Sequence, residues 1–197
     1  MPETVVTRCP WCEGVSDAYQ AYHDDEWGVP LRDDAGQFEF LILEGAQAGL
    51  SWSTVLHKRD GYREAFAGFD AQKIARFGKR DVNRLLKNPA IIRNRLKVAS
   101  AIGNAQAYLK IQEESGSFSD YLWGFVEGRA VQNRWRRTAD VPATSPVSDA
   151  VARDLKQRGF KFVGSTIMYA HMQATGLVND HLVSCYRHAE CAALDKA

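Results

Sequence analysis

The amino-acid sequence predicts an all-α protein, and three observations carry that reading. In the run from Ile91 to Ile111, the apolar residues Ile91, Val98, Ala99, Ile102, Ala105 and Leu109 recur at helical spacing. Capping residues precede such runs at Ser16, Asp33 and Ser51, and breaking residues follow them at Gly49, Pro89 and Gly159. No stretch alternates at the two-residue period of a half-buried strand, and no repeat or low-complexity segment interrupts the pattern. A chain of 197 residues is long enough for a sizeable core, as one unit over 1–197 or as two interlocked helical lobes.

Each helix has a local reason. Ser16-Asp17 caps a first helix over Ala18–His23. Asp33-Asp34 puts acidic residues at the positive end of a second, which runs to about Gly49. Ser51 caps a turn or two through Val55, and Asp60 and Asp70 each start a short helix. Lys79–Lys87 is amphipathic, with Val82, Leu85 and Leu86 as its stripe, and Asn88-Pro89 breaks it before the long helix from Ile91. Phe118–Val126 is short and aromatic. Residues 127–146, with Pro142 and Pro146, read as a surface loop holding at most a short extended piece. Ser145-Pro146 or Ser148-Asp149 caps a helix over Ala150–Arg158, which Gly159 closes. Val163–Thr175 forms another. Asn179-Asp180-His181 starts the last, which sets His181 and Cys185 on one helical face.

Composition bounds the function. Hydrophobic content of 45% and charged content of 25% are ordinary for a globular protein. No apolar run approaches the roughly 20 residues of a membrane span, and the first residues lack the layout of a signal peptide. A cytoplasmic protein without a membrane partner is expected. A net charge of +1 means that a nucleic-acid partner needs the basic residues gathered on one face. The candidate clusters are Arg93, Arg95 and Lys97; Arg134, Arg136 and Arg137; and Lys156, Arg158 and Lys161.

Two patterns carry chemistry. Within Phe40–Trp52, Glu44 lies among Phe40, Leu41, Leu43, Ala46 and Leu50, with no Lys or Arg between Arg32 and Lys58. A carboxylate there needs donors, a distant cation or a cationic ligand, or else it stays protonated. Gly45, Ala46, Ala48 and Gly49 leave space beside it. Trp11, Tyr19, Tyr22, Trp27 and Trp52 supply flat surfaces suited to a core or to a pocket for a planar cation. The second pattern is the four cysteines, Cys9 and Cys12 near one end and Cys185 and Cys191 near the other, with His23 and His181 close by. In a reducing compartment this favours metal over disulfide. Both an all-thiolate set and the set Cys9, His23, His181 and Cys185 fit a tetrahedral ion. Either would close a loop of roughly 160 residues, at an entropy cost that grows only logarithmically.

Five segments then converge. Arg8-Cys9-x-Trp11, Tyr22-His23-Asp24-x-Glu26-Trp27-Gly28-Val29-Pro30, Leu43-Glu44-Gly45-x-Gln47-Ala48-Gly49-Leu50-Ser51-Trp52, Gly159-Phe-Lys-Phe-Val-Gly164 and Gly176-Leu-Val-Asn-Asp-His181 resemble the 3-methyladenine DNA glycosylase I family. The likeness runs from about Arg8 to Cys185. It implies an all-helical variant of the helix-hairpin-helix DNA glycosylases, in two interlocked lobes. The helix-hairpin-helix lies within about 81–105, with its turn near Ile91–Leu96. It implies structural zinc held by Cys9, His23, His181 and Cys185, stapling 8–28 to 176–191. It implies a base pocket of Glu44, Tyr22 and Trp52, with Trp11, Tyr19 and Trp27 around it, and DNA contacts from Leu50, Arg93, Arg95 and Lys97.

The implied activity is hydrolysis of the N-glycosidic bond of 3-methyladenine in alkylated double-stranded DNA, by a monomer. The damaged nucleotide must be flipped out, and Leu50 is the candidate wedge for the gap. The base already carries positive charge and leaves readily, so Glu44 recognises it and Tyr22 and Trp52 sandwich its ring. Residues 98–116 hold no aspartate in the position common after the hairpin, and no lysine stands out as a Schiff-base nucleophile. A monofunctional hydrolase is expected. A zinc-stapled DNA-binding module without catalysis is the alternative.

Overall fold

In a computed structural model that describes residues 6–195, the helices are α1 (Asp17–Asp25), α2 (Asp34–Gln47), α3 (Trp52–Leu56), α4 (Arg59–Ala65), α5 (Ala71–Ile74), α6 (Lys79–Lys87), α7 (Arg95–Ser115), α8 (Phe118–Gly124), α9 (Pro146–Gln157), α10 (Ser165–Ala174) and α11 (Tyr186–Leu194). The expected all-α class holds. Local capping explains most boundaries. Asp33, Ser51, Asp70 and Ser145 each accept a backbone N–H from the first turn of the helix they precede.

Helix α2 is the spine. Every residue from Leu41 to Ala46 is buried, so it is enclosed on all sides. It packs against α10 and α3 on one side and α7 and α8 on the other. Asp34 at its start accepts hydrogen bonds from Phe118 N, Ser119 N and Ser117 Oγ, and so tethers the positive end of α8. The α4–α8 lobe gathers around α7, whereas α9 packs on α10 beside the other face of α2.

Two boundaries differ from expectation. The long helix begins at Arg95 rather than Ile91, because the Asn94 side chain caps Leu96 N and Lys97 N. Ile91 is buried, and the Ile92 N–H donates to the Tyr62 hydroxyl, so residues 88–94 form the turn of an α6–turn–α7 hairpin. This turn has no glycine of its own. Gly61 of α4 lies against it instead, where a Cβ would come within 2.6 Å of Ala90 O. At the other end, His181 and Cys185 do not share a helix. The chain pairs as a two-residue strand β2 (Val178–Asn179), parallel to β1 (Val131–Gln132), and then turns. Cys185 is the residue before α11. Parallel pairing with the 127–146 segment competes with helix here, and no local signal announces it.

Candidate functional site

The turn after β2 brings His181 and Cys185 to Cys9 and His23. One ligand atom from each of these four buried residues lies within 4.8 Å of the others. Cys9 Sγ–His181 Nδ1 is 3.7 Å, and Cys185 Sγ lies 3.5 Å from both His181 Nδ1 and His23 Nε2. A tetrahedral ion with bonds of about 2.3 Å to sulfur and 2.0–2.1 Å to nitrogen sets S···N at about 3.6 Å. The donor set therefore fits a metal. The opposite ring nitrogens are held as well. His23 Nδ1 pairs with Asp24 at 2.8 Å, and His181 Nε2–H donates to Trp27 O at 2.8 Å. Burial alone would raise the Asp24 carboxyl, but hydrogen bonds from Arg8, His23 and Tyr186 outweigh it and hold the group down at about 2. The Cys185 thiol is drawn well below its usual range by its hydrogen bond with Cys9, with His181 and His23 adding to the effect. Gly28 (φ +80°) makes this possible, since a Cβ would come within 2.9 Å of the His181 ring.

Cys12 and Cys191, both buried, stand outside the four-donor set. Cys12 Sγ donates to Cys9 O, and burial pushes each of these two thiols up to about 11. Among the described residues, the four cysteines are not brought together as one donor set.

Beside the cluster lies a cavity of about 250 Å³, lined by Trp11, Tyr19, Tyr22, Trp27, Glu44 and Trp52. All six aromatic and acidic residues expected there from sequence are brought together. Glu44 is 3% exposed, and its Oε2 has no partner. Burial, with no opposing cation, pushes its carboxyl up to about 8. Trp52 Nε1 is a second buried polar atom without a partner. Unmet buried polar atoms are rare in folded proteins, and each asks for a ligand or water.

Tyr22 and Trp52 do not form a slot. Their centroids are 5.3 Å apart at 46°, whereas a ring stacked between them needs about 7 Å. They form one continuous wall, with Trp11 and Tyr19 meeting edge to face at 5.4 Å as another.

Gln47, Gln173, Asp180, Thr138 and Val141 also line the cavity, and no site role was expected of them from sequence. Asp180 is 2% exposed and accepts from Asn133 Nδ2, Trp135 Nε1, Tyr169 OH and Gln173 Nε2 at 2.7–2.8 Å. A carboxylate next to His181, a candidate metal ligand, was the one available signal.

Of the expected DNA contacts, Leu50 projects from the turn after α2, 41% exposed. Arg93 and Arg95 are exposed on the hairpin. Lys97 is placed differently. Its Nζ donates to Ala46 O and Ala48 O at 2.7 Å each, tying α7 to the open C-terminal carbonyls of α2. Its ammonium is therefore engaged within the protein.

A family model described as methyladenine glycosylase matches residues 11–188. The chain belongs to the methyladenine glycosylase family. The DNA-3-methyladenine glycosylase 1 of Escherichia coli (strain K12) is 48% identical over 178 residues, covering 90% of this chain and 95% of that one. A crystal structure of a 3-methyladenine DNA glycosylase I superposes with a TM-score of 0.89 at 49% identity, over 91% of this chain and 98% of the other. A Staphylococcus aureus 3-methyladenine DNA glycosylase I, solved for its recognition of 3-methyladenine, superposes at 0.85 with 38% identity, over 87% and 91%. Methyladenine glycosylases thus share this chain's fold along almost its whole length.

Proposed function

We propose that this protein is a DNA-3-methyladenine glycosylase that hydrolyses the N-glycosidic bond of 3-methyladenine in alkylated DNA. One observation carries the reading in this chain: a buried carboxyl without a partner, set in an aromatic cavity, in a methyladenine glycosylase. A cationic base supplies the charge and the donors that Glu44 lacks. Its entry draws the Glu44 proton off, and the ionised carboxylate then meets the cation. Tyr22 and Trp52 offer a stacking wall, and the Trp52 N–H a donor. Trp11, Tyr19 and Trp27 shape the rest of the pocket.

The substrate base is already a good leaving group, so recognition and positioning serve better than a strong general acid. Glu44 is the residue in contact with the reacting base. Among the described residues no lysine lines the cavity, which supports hydrolysis without a lyase step. The α6–turn–α7 hairpin, within 81–105 of a single unit spanning 1–197, docks on duplex DNA through Arg93 and Arg95, and Leu50 fills the gap left by the flipped nucleotide. One chain supplies the whole pocket, in keeping with a monomer. Free buried cysteines suit a reducing cytoplasm. Among the described residues, no helix is long and apolar enough to cross a membrane.

We further infer that the cluster of Cys9, His23, His181 and Cys185 holds structural zinc, which the paired thiolates and imidazoles suit. With all four donors from protein, such an ion organises the fold. The testing assay treats alkylated duplex DNA with the purified protein and identifies the released base by chromatography. Free 3-methyladenine with an uncut strand is expected. Binding without release would favour a non-catalytic DNA-binding module instead.

A further inference from the structure

We infer that the segment from Asn133 to Val141 is a second DNA-backbone contact, which uses Arg134 and Arg136 at the mouth of the base pocket. This inference rests on the glycosylase reading and adds a surface to it. The segment leaves β1 irregularly, bends at Arg136 and Arg137, and closes in a 3-10 turn over Thr138–Asp140. Trp135 turns inward. Its Nε1 donates to Asp180 Oδ1 at 2.7 Å, its carbonyl accepts from Val183 N at 2.9 Å, and its ring packs on Cys9, Leu182 and Cys185. Arg134 and Arg136, on either side of it, are exposed, and neither joins a salt bridge among the described residues.

The local acid is already spent. Asp140 pairs with Arg137 at 2.6 Å, which leaves Arg134 and Arg136 as the uncompensated charges of this arm. Thr138 and Val141, a few residues on, line the same cavity as Glu44, and Thr138 is its exposed edge. The arm thus borders the opening through which a flipped nucleotide enters. Gln47, at the end of α2, lines the same cavity. The two arginines lie two residues apart in the chain, close enough to meet neighbouring phosphates of one strand. Guanidinium groups present paired N–H donors to phosphate oxygens. The anchored tryptophan holds the pair in place before DNA arrives, which lowers the ordering cost of the contact.

The test compares wild type, R134A/R136A and R134K/R136K for binding to a duplex with a tetrahydrofuran abasic-site analogue, across a salt series. Excision of 3-methyladenine and binding of the free base are measured in parallel. The alanine pair is expected to bind about tenfold more weakly at 50 mM salt, with the log–log salt slope smaller by about 2. Free-base binding and thermal stability should stay at wild-type values, and the lysine pair should recover most of the affinity. An alanine pair with unchanged slope and affinity overturns the arm while leaving the glycosylase reading intact. Loss of affinity that the lysine pair fails to recover, together with a lowered Tm, also overturns it, as a packing effect. Absence of excision by wild type sinks the parent reading and is seen independently of the variants.

Discussion

Two buried carboxylates border one cavity in this protein, and they are treated oppositely. Asp180 accepts four hydrogen bonds, from a loop tryptophan and asparagine and from two residues of α10. Glu44, at the same depth, has an oxygen with no partner. The fold uses Asp180 for itself, and under the proposed function the unpartnered Glu44 is the carboxyl left for a ligand. Asp180 joins the Asn133–Trp135 segment to α10 and stands next in sequence to His181 of the four-donor cluster. Glu44 is buried without a partner for Oε2, a cost to stability of the kind found at functional sites.

Asp180→Asn breaks the contrast most severely, because it withdraws the charge from four donors at once. A loss of roughly 3 kcal/mol is expected, read as a fall in Tm of about 6–12 °C for a chain of this size. An unchanged Tm would show the network to be incidental. Glu44→Gln should act in the other direction on stability while harming function. Loss of the charge-assisted contact should lower kcat/KM for 3-methyladenine excision about 10- to 100-fold, while Tm rises by a few degrees.

The same variant sharpens the comparison through pH. The Glu44 carboxyl sits at about 8 in the fold against 4.5 ordinarily, so between these values the native state holds a proton that the unfolded chain has lost. Its contribution to stability is complete below about 4.5, drains away as pH rises through about 8, and is level above. Denaturant titrations at pH 5, 7 and 9 should show this decline in wild type and its absence in Glu44→Gln. Excision should rise over the same window, as Glu44 ionises for a cationic base. The smallest effect belongs to Trp52→Phe. Removing an N–H that has no partner should leave Tm within a degree or two. Excision should fall about threefold, the scale of a weak neutral hydrogen bond. A large loss of stability would show that the N–H already has a bound partner in solution.

Much of this was legible in sequence where the causes are local. Caps at Asp33, Ser51 and Asp70 and the apolar runs of α2 and α6 set their own helices. The absence of cations around Glu44 already marked it as an oddity. Distant partners left no such mark. Asn94 outcompeted an apolar stripe that pointed to Ile91. The β1–β2 pairing, across 47 residues, replaced the helix expected to hold His181 and Cys185. Lys97 reads as a phosphate ligand until α2 brings two carbonyls to it. The donors of Asp180 at 133 and 135 are equally remote, and no periodicity connects them.

The four-donor cluster also bears on the order in which the chain can be completed. Cys185 lies 162 residues beyond His23, and at 5–20 residues per second a ribosome needs about 10–30 s to cover that distance. Throughout that interval Cys9 and His23 are half of the four-donor cluster, while α2 and the hairpin are synthesised before it ends. The joint between the two ends therefore closes last. The part of the pocket wall that Leu182 supplies is finished only when this late half arrives.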